Sequence, residues 1–361
     1  MKKILTLVVA YLFTASGNAS EVKMPTFYGK INKAIMYVDQ EQKFNRKTNS
    51  GVLDVDGSES RIGAKGSYAL EAMTIKYKLE IGLNSSTSKG FRVRVGKADL
   101  ETKFGTFTIG QDYTASGSII KTFDVFKGTV AQGSNKDYYN FVENSHKHVG
   151  YHDRSRADLI KYATPRFAGF QYTISQDKDD QDDKDRNDPQ DPNYGITNTE
   201  HLISYTREMG EMNLELHAAY VHWAESNSGD QSDMIFGGAF KMKKFAFRAG
   251  YGIESQKQEA GTTDDIKDTR MILGTSYKLG SGKVMFGYSA SENELKPKTG
   301  TKETKEESHI NLGYAHKFNK YVSVNVIASS IKIEKKTGNS ASDEAYKNDA
   351  TVASFGATIK F

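Results

Sequence analysis

Met73-Thr74-Ile75-Lys76-Tyr77-Lys78-Leu79-Glu80-Ile81-Gly82-Leu83 decides the fold. Apolar side chains fill the odd positions, and Thr, Lys, Glu or Gly fill the even ones. A period of two gives a strand with one apolar and one polar face. The pattern returns at 245–254, where Phe245, Phe247, Ala249, Tyr251 and Ile253 alternate with Ala246, Arg248, Gly250, Gly252 and Glu254. It returns less strictly at 214–222, 284–290, 310–314, 322–328 and 355–361. Helical periodicity is scarce after residue 20, so the chain reads as an antiparallel β protein.

The breaks between strands say what kind. Short ones fall near 67–71, 99–103, 165–168, 207–211, 241–244, 279–282 and 317–320. Long polar ones fall near 39–57, 84–90, 112–155, 176–198, 223–232, 255–267, 291–307 and 332–348. Seven short turns alternating with eight long loops imply sixteen strands, with both termini on the short-turn side. Strands of about ten residues with loops this asymmetric describe a transmembrane β-barrel, apolar face to lipid and polar face to a lumen. Closure leaves no unpaired edge, as the bilayer core requires. A soluble sandwich or propeller would not explain Lys, Arg and Glu on the inward faces, whereas a sixteen-stranded lumen is wide enough to keep them in water.

Composition agrees by exclusion. Of the 361 residues 37% are hydrophobic and 26% charged, and the mean hydropathy is −0.61, which rules out a polytopic helical membrane protein. The chain has no Cys, hence no disulfide scaffold, thiolate zinc site or thiol nucleophile. The near balance of 49 Lys and Arg against 45 Asp and Glu gives no sign of a nucleic-acid partner. At the N-terminus Met1-Lys2-Lys3 is basic, Ile4 to Phe13 is apolar apart from Thr6, and Thr14 to Ser20 is small and polar, with Gly17 and Ala19 placed as at a cleavage site. This is the layout of a secretory signal peptide, and the run is too short for a membrane anchor. We expect residues 1–20 to be removed near Ala19 or Ser20 and residues 21–361 to form the barrel. Without Lys2 and Lys3, 49 basic residues become 47 against 45 acidic ones.

Several segments carry a family likeness. Thr26-Phe27-Tyr28-Gly29-Lys30 opens the mature chain, and Ser60-Arg61-Ile62-Gly63-Ala64-Lys65-Gly66 lies in the second strand. Phe104-Gly105-Thr106-Phe107-Thr108-Ile109-Gly110 falls in the fifth, Lys161 to Phe170 spans the third short turn, and the chain ends on Phe361. Each resembles a signature segment of the Gram-negative general porins, especially the neisserial and proteobacterial branch. The resemblance covers the whole mature chain in organisation, while close motif matches are confined to its first half and last residue. It implies a passive outer-membrane diffusion channel for small hydrophilic solutes and ions, without cofactor or catalysis. It also implies a homotrimer in the outer membrane of a Gram-negative bacterium, among lipid and lipopolysaccharide. The third long loop, here about 112–155, would fold inward as a constriction.

In that family a basic wall faces acidic residues on the loop. By motif matching Lys30, Arg61, Arg94 and Lys161 take the wall positions. The alternation independently puts all four on polar faces: Lys30 between Gly29 and Ile31, Arg61 beside Ile62, Arg94 between Val93 and Val95, Lys161 between Ile160 and Tyr162. Arg92 shares the face of Arg94. Asp124, Asp137 and Glu143 are the candidate loop carboxylates. Gln111 departs from the family, which usually has Arg after the Gly closing the fifth strand, and that bears on any inherited selectivity. The inward Lys and Arg excess points to mild anion preference.

Other constellations carry less. His146, His148 and His152 have a spacing a metal could use, but no flanking carboxylate pattern, so a pH-dependent loop charge is the better reading. Asp183-x-Asp185-x-Asn187 begins like a calcium loop, yet Asp188 stands where Gly is needed and Tyr194 where Glu is needed. That Asp-rich run, 177–191, reads as a solvated loop, with divalent bridging to lipopolysaccharide as its functional alternative. Gly280-Ser281-Gly282-Lys283 lacks the first Gly of a phosphate loop and reads as a tight turn. No Ser, His and Asp spacing specifies a barrel enzyme. A substrate-specific channel is the nearer rival, ahead of an enzyme or adhesin.

Overall fold

The computed structural model describes residues 21–42, 47–56, 58–83, 91–132, 156–178, 197–226, 229–257, 265–297, 302–337 and 346–361. The expected leader, 1–20, lies outside the described residues. The strand segments are β1 (Glu21–Gln42), β2 (Lys47–Val55), β3 (Ser60–Ala69), β4 (Thr74–Leu83), β5 (Phe91–Thr102), β6 (Gly105–Tyr113), β7 (Arg156–Ala163), β8 (Phe170–Lys178) and β9 (Thr197–Met209). They continue as β10 (Met212–Ser226), β11 (Gly229–Met242), β12 (Phe245–Lys257), β13 (Asp265–Leu279), β14 (Gly282–Lys296), β15 (Glu303–Lys317), β16 (Val322–Thr337) and β17 (Tyr346–Lys360).

All belong to one closed antiparallel sheet. β1 pairs with β3 from Glu21 to Lys30 and with β2 from Ala34 to Gln42. β2 and β3 are therefore two halves of one strand interrupted at 56–59, and the barrel has sixteen strands, as the spacing of breaks predicts. Closure runs from Lys30 opposite Lys360 to Gln42 opposite Asn348. Phe361 extends that ladder by one pair of bonds, its N–H donating to Gly29 O at 3.1 Å and its carbonyl oxygen accepting from Gly29 N at 2.9 Å. Its ring lies over Gly29, in space that a Cβ there would need.

The strands run further into the long loops than apolar alternation reaches. β12, for example, continues to Lys257 and β16 to Thr337. Backbone pairing needs no apolar side chains, so the ladder outlasts the lipid-facing band. That band is formed by exposed residues such as Ile35, Leu79, Ile160, Leu216, Phe286 and Phe355. Toward the short turns it ends in exposed aromatics, among them Phe104, Phe167, Tyr277, Phe318 and Tyr321, a girdle like those at membrane interfaces. Gly280 and Ser281 form the tight turn between β13 and β14, Gly280 at φ +59.

Candidate functional site

Residues 114–132 leave the end of β6 and run inside the barrel. They contain a 3-10 turn at Ser116–Ser118 and one helical turn at Ile120–Phe123. Backbone groups of this loop are bonded to the inner wall in sequence. Ala115 N donates to Ser175 Oγ at 2.9 Å and Ser116 N to Glu200 Oε2 at 2.7 Å. Arg248 donates to the carbonyl of Thr122, Lys283 Nζ to that of Val125 at 3.3 Å, and Asn32 Nδ2 to that of Gly128 at 2.9 Å. The segment thus follows the wall from β8 through β9, β12 and β14 to β1.

Its apolar side chains are seated on glycines. A Cβ on Gly237 or Gly250 would meet the ring of Phe123 at 2.6 and 2.8 Å. One on Gly274 would meet Val125 at 2.8 Å, and one on Gly287 would meet Phe126 at 2.7 Å. These glycines lie on the inner faces of four consecutive strands, β11 to β14, and form a trough. Phe123, Val125, Phe126 and Val130 are all buried. Apolar residues in an otherwise polar loop need such a cover, and here the wall supplies it.

The wall that this segment does not line, β3 to β7, carries a second set of cations, most of them paired with acids of the wall. A β-bulge makes Arg94 the extra residue of β5, since Glu80 opposes Val95 while Ile81 opposes Val93. Bulges re-aim side chains in this way, and Arg94 is buried against Glu80, Nε to Oε1 2.9 Å, and paired with Glu59. Glu80 also takes Arg61 Nε at 3.3 Å, Lys78 Nζ at 3.4 Å and the Tyr28 hydroxyl at 2.9 Å. Glu59 takes Arg92 through two bonds, at 2.6 and 2.8 Å. Arg61, Lys78, Arg92 and Arg94 therefore share two carboxylates. Lower on the same wall, Lys161 Nζ reaches Asp112 Oδ2 at 2.7 Å and Tyr113 O at 2.7 Å, while Lys97 reaches Asp112 at 3.0 Å. Lys30 donates to Ser58 Oγ and lies within electrostatic range of Arg61, Arg94 and Lys121.

Four of the five wall cations read from the sequence thus fall on β3 to β7 and Lys30 on the adjoining β1, in different states. Arg94 is buried, Lys30, Arg61 and Lys161 are half-buried, and Arg92 is exposed. The loop acids do not match expectation as directly. Asp124 is 3% exposed, and its Oδ1 accepts from Phe126 N at 2.7 Å. Asp124 lies within electrostatic range of Arg248 and Lys283. The carboxylate therefore braces the loop against the wall behind it. Asp137, Glu143, His146, His148 and His152 lie outside the described residues, as does most of the Asp-rich run. Asp177, within β8, is buried beside Asn198. Among the described residues no His, Cys, Asp and Glu group is placed to hold a metal ion.

Sequence reasoning left out Glu59, Glu80, Lys97, Asp112, Tyr113, Lys121 and Arg156. Glu80 was legible, since it stands on the polar face of the very strand that decides the fold. Asp112 was legible from parity. Gly110 opposes Lys97 and Asp112 is two residues on, so Gln111 turns away from the lumen and Asp112 takes the inward place.

A family model described as Gram-negative porin matches residues 5–335. Among solved structures, the anion-selective porin of Comamonas acidovorans superposes with a TM-score of 0.68 at 18% identity, over 94% of this chain and 100% of that one. OmpT, an outer membrane protein of Vibrio cholerae solved in a trimer form, gives 0.60 at 14% identity over 94% and 100%. Salmonella typhi OmpF, solved in complex with daunomycin, gives 0.59 at 14% identity over 94% and 98%. These likenesses are of fold. No curated protein matches the chain.

Proposed function

The chain belongs to the Gram-negative porins and is an outer-membrane porin channel, and from that premise we propose that it is a passive filter for small hydrophilic solutes and ions. The observation that carries this is the division of the inner wall. One side is lined by a loop sewn to β8–β14 and to Asn32 of β1, and the other is a cation surface on β3–β7 bordered by Lys30 of β1. A water-filled path spares a solute the cost of entering hydrocarbon, and charges lining its narrowest part sort what passes. With four cations sharing Glu59 and Glu80, the wall carries a positive excess that favours anions. Lys30, Arg61, Arg92, Arg94 and Lys161 form the basic side. Asp124 serves as a brace, and Asp137 and Glu143 are the remaining candidates for an acidic side. The path needs no cofactor and no catalytic group.

The proposal includes a homotrimer, with residues 1–20 as its export signal and lipid and lipopolysaccharide around it. Lys33 stands on the outer face of β1 between exposed Ile31 and Ile35, 3.3 Å from Asp54 and 3.2 Å from Asp56. A charge in the lipid-facing band costs roughly 2–4 kcal/mol near the midplane, and a neighbouring protomer would remove that cost.

The test is single-channel recording of the refolded protein in a planar bilayer, with a salt gradient to read the reversal potential. Openings in groups of three and an anion-side potential are expected. A folded barrel that conducts in no salt would overturn the reading.

A further inference from the structure

At the top of β6 the Tyr113 hydroxyl is met, among the described residues, by cations and by no carboxylate. Arg156 Nη1, on the directly opposed residue of β7, donates to it at 3.0 Å. Lys121 Nζ, from the inward loop, donates to it as well. Both cations also lie over the phenol ring, at 4.4 Å for Lys121 and 5.1 Å for Arg156. Arg94 lies within electrostatic range of the same group. Among the described residues no acid pairs with Lys121 or Arg156, whereas Arg61, Lys78, Arg92, Arg94, Lys97 and Lys161 of this wall are tied to Glu59, Glu80 or Asp112.

The hydrogen-bond inventory then dictates what the cradle can take. A phenol oxygen accepts at two lone pairs, and both are used here, so it has only its proton left to give. The ammonium has further N–H groups, and the guanidinium has four more donors. Every remaining hydrogen on the two cations is therefore a donor, and two like charges meet on one phenol oxygen. Burial pushes the Lys121 ammonium below the ordinary lysine range, and the guanidinium groups of Arg156 and Arg94 push the same way, against the pull of the Tyr113 phenol. All three side chains are half-buried, so solutes can reach them.

We propose that Lys121, Arg156 and Tyr113 form an oxyanion site at the mouth of the constriction, suited to a phosphate group. Three acceptor oxygens on a doubly charged group match an ammonium, a planar guanidinium fork and a phenol O–H, and arginine favours such groups by bidentate geometry. A phosphate held there would reside long enough to interrupt the flow of chloride. The site rests on the channel reading above, and it adds a loop-borne cation, Lys121, to a filter otherwise built by strands.

The test is chloride current through the full-length mature protein in about 0.1 M KCl, where screening is modest, with inorganic phosphate added to one side. Saturable block is expected in the wild type. Lys121→Gln and Arg156→Gln should each raise the half-blocking concentration about tenfold or more, and Tyr113→Phe should raise it less. Lys320→Gln, on a short turn, should leave it unchanged. Calorimetric titration of the folded barrel in detergent with phosphate reads the site without current. Heat of binding without conductance would keep the site and sink the channel. Conductance with neither block nor heat would keep the channel and sink the site, as when a carboxylate of the chain already fills the cradle. Block that survives both glutamine variants, each checked for folding by heat-dependent gel mobility, would also overturn the assignment.

Discussion

A methyl group added to Gly250 would stand 2.8 Å from Cδ2 of Phe123. The phenyl ring of the loop thus occupies the place where β12 would carry a side chain. Gly237, directly opposite Gly250 on β11, forms the other half of the socket. Overfilling a packed site costs about 1–3 kcal/mol, and neither backbone at the sheet centre can retreat. Gly250→Ala should therefore lift the helical turn that carries Lys121 while leaving the barrel folded. The expected result is a changed, noisier single-channel conductance. Combining it with Phe123→Ala should restore quiet openings, because the smaller side chain clears the added methyl. An unaltered Gly250→Ala channel would mean that the socket does not position the loop.

Phe126 gives an independent measure of the same seating. It fills the space beside Gly287 and packs in a cluster with Val130, Met285 and Ile327. Truncating a buried Phe costs about 3–5 kcal/mol in general, and here the loss falls on docking of the loop. Phe126→Ala should admit larger neutral sugars, read as faster swelling of liposomes carrying the protein. Exclusion of the same sugars by wild type and variant would count against a loop held by its apolar side chains.

Strands and loops differ sharply in how legible they are. Parity along Met73–Leu83 gives strand, face and register parity together, because one physical rule governs every residue. The same rule places Lys30, Arg61, Arg92 and Lys161 inward. It does not give Arg94 its setting, since a bulge breaks parity there and both Arg94 and Val95 are buried. The loop obeys no such rule. Its acid at 124 reads as a lumen charge, yet the carboxylate is satisfied by its own backbone at Phe126. The usable signal was apolar: Phe123, Val125 and Phe126 in a loop, and glycines at inward positions of β11 to β14. Each is ordinary alone, and only the fold matches them to one another.

Glu80 tests the charge balance of the wall. Its two oxygens hold Arg61, Arg94, Lys78 and the Tyr28 hydroxyl, and it is 3% exposed. Removing one partner of a buried ion pair costs about 3–5 kcal/mol because the remaining charges lose their counterion. Glu80→Gln should lower the unfolding midpoint in detergent and shift the reversal potential toward anions. Arg61→Gln should shift the potential the other way. A common direction for both variants would show that something other than net wall charge governs selectivity.

Lys33 separates lipid from protein on the outer face. It opposes Ala357 on β17, between Phe355 and Ile359 along that strand, so it stands within the apolar band. Nearby outward positions are small, with Ala353 on β17 and Ala328 and Ser330 on β16. If lipid covered this surface, Lys33→Met would leave Asp54 and Asp56 without their cation in the isolated barrel and lower the unfolding midpoint of the monomer itself. If a second protomer covers it, the same change strands Asp54 and Asp56 without their cation inside an interface, where breaking a pair is costly. The trimer reading therefore expects Lys33→Met to lower the temperature at which trimers dissociate on a gel, while the released monomer stays folded. A monomer destabilised by Lys33→Met, with no change in assembly, would place lipid against this face.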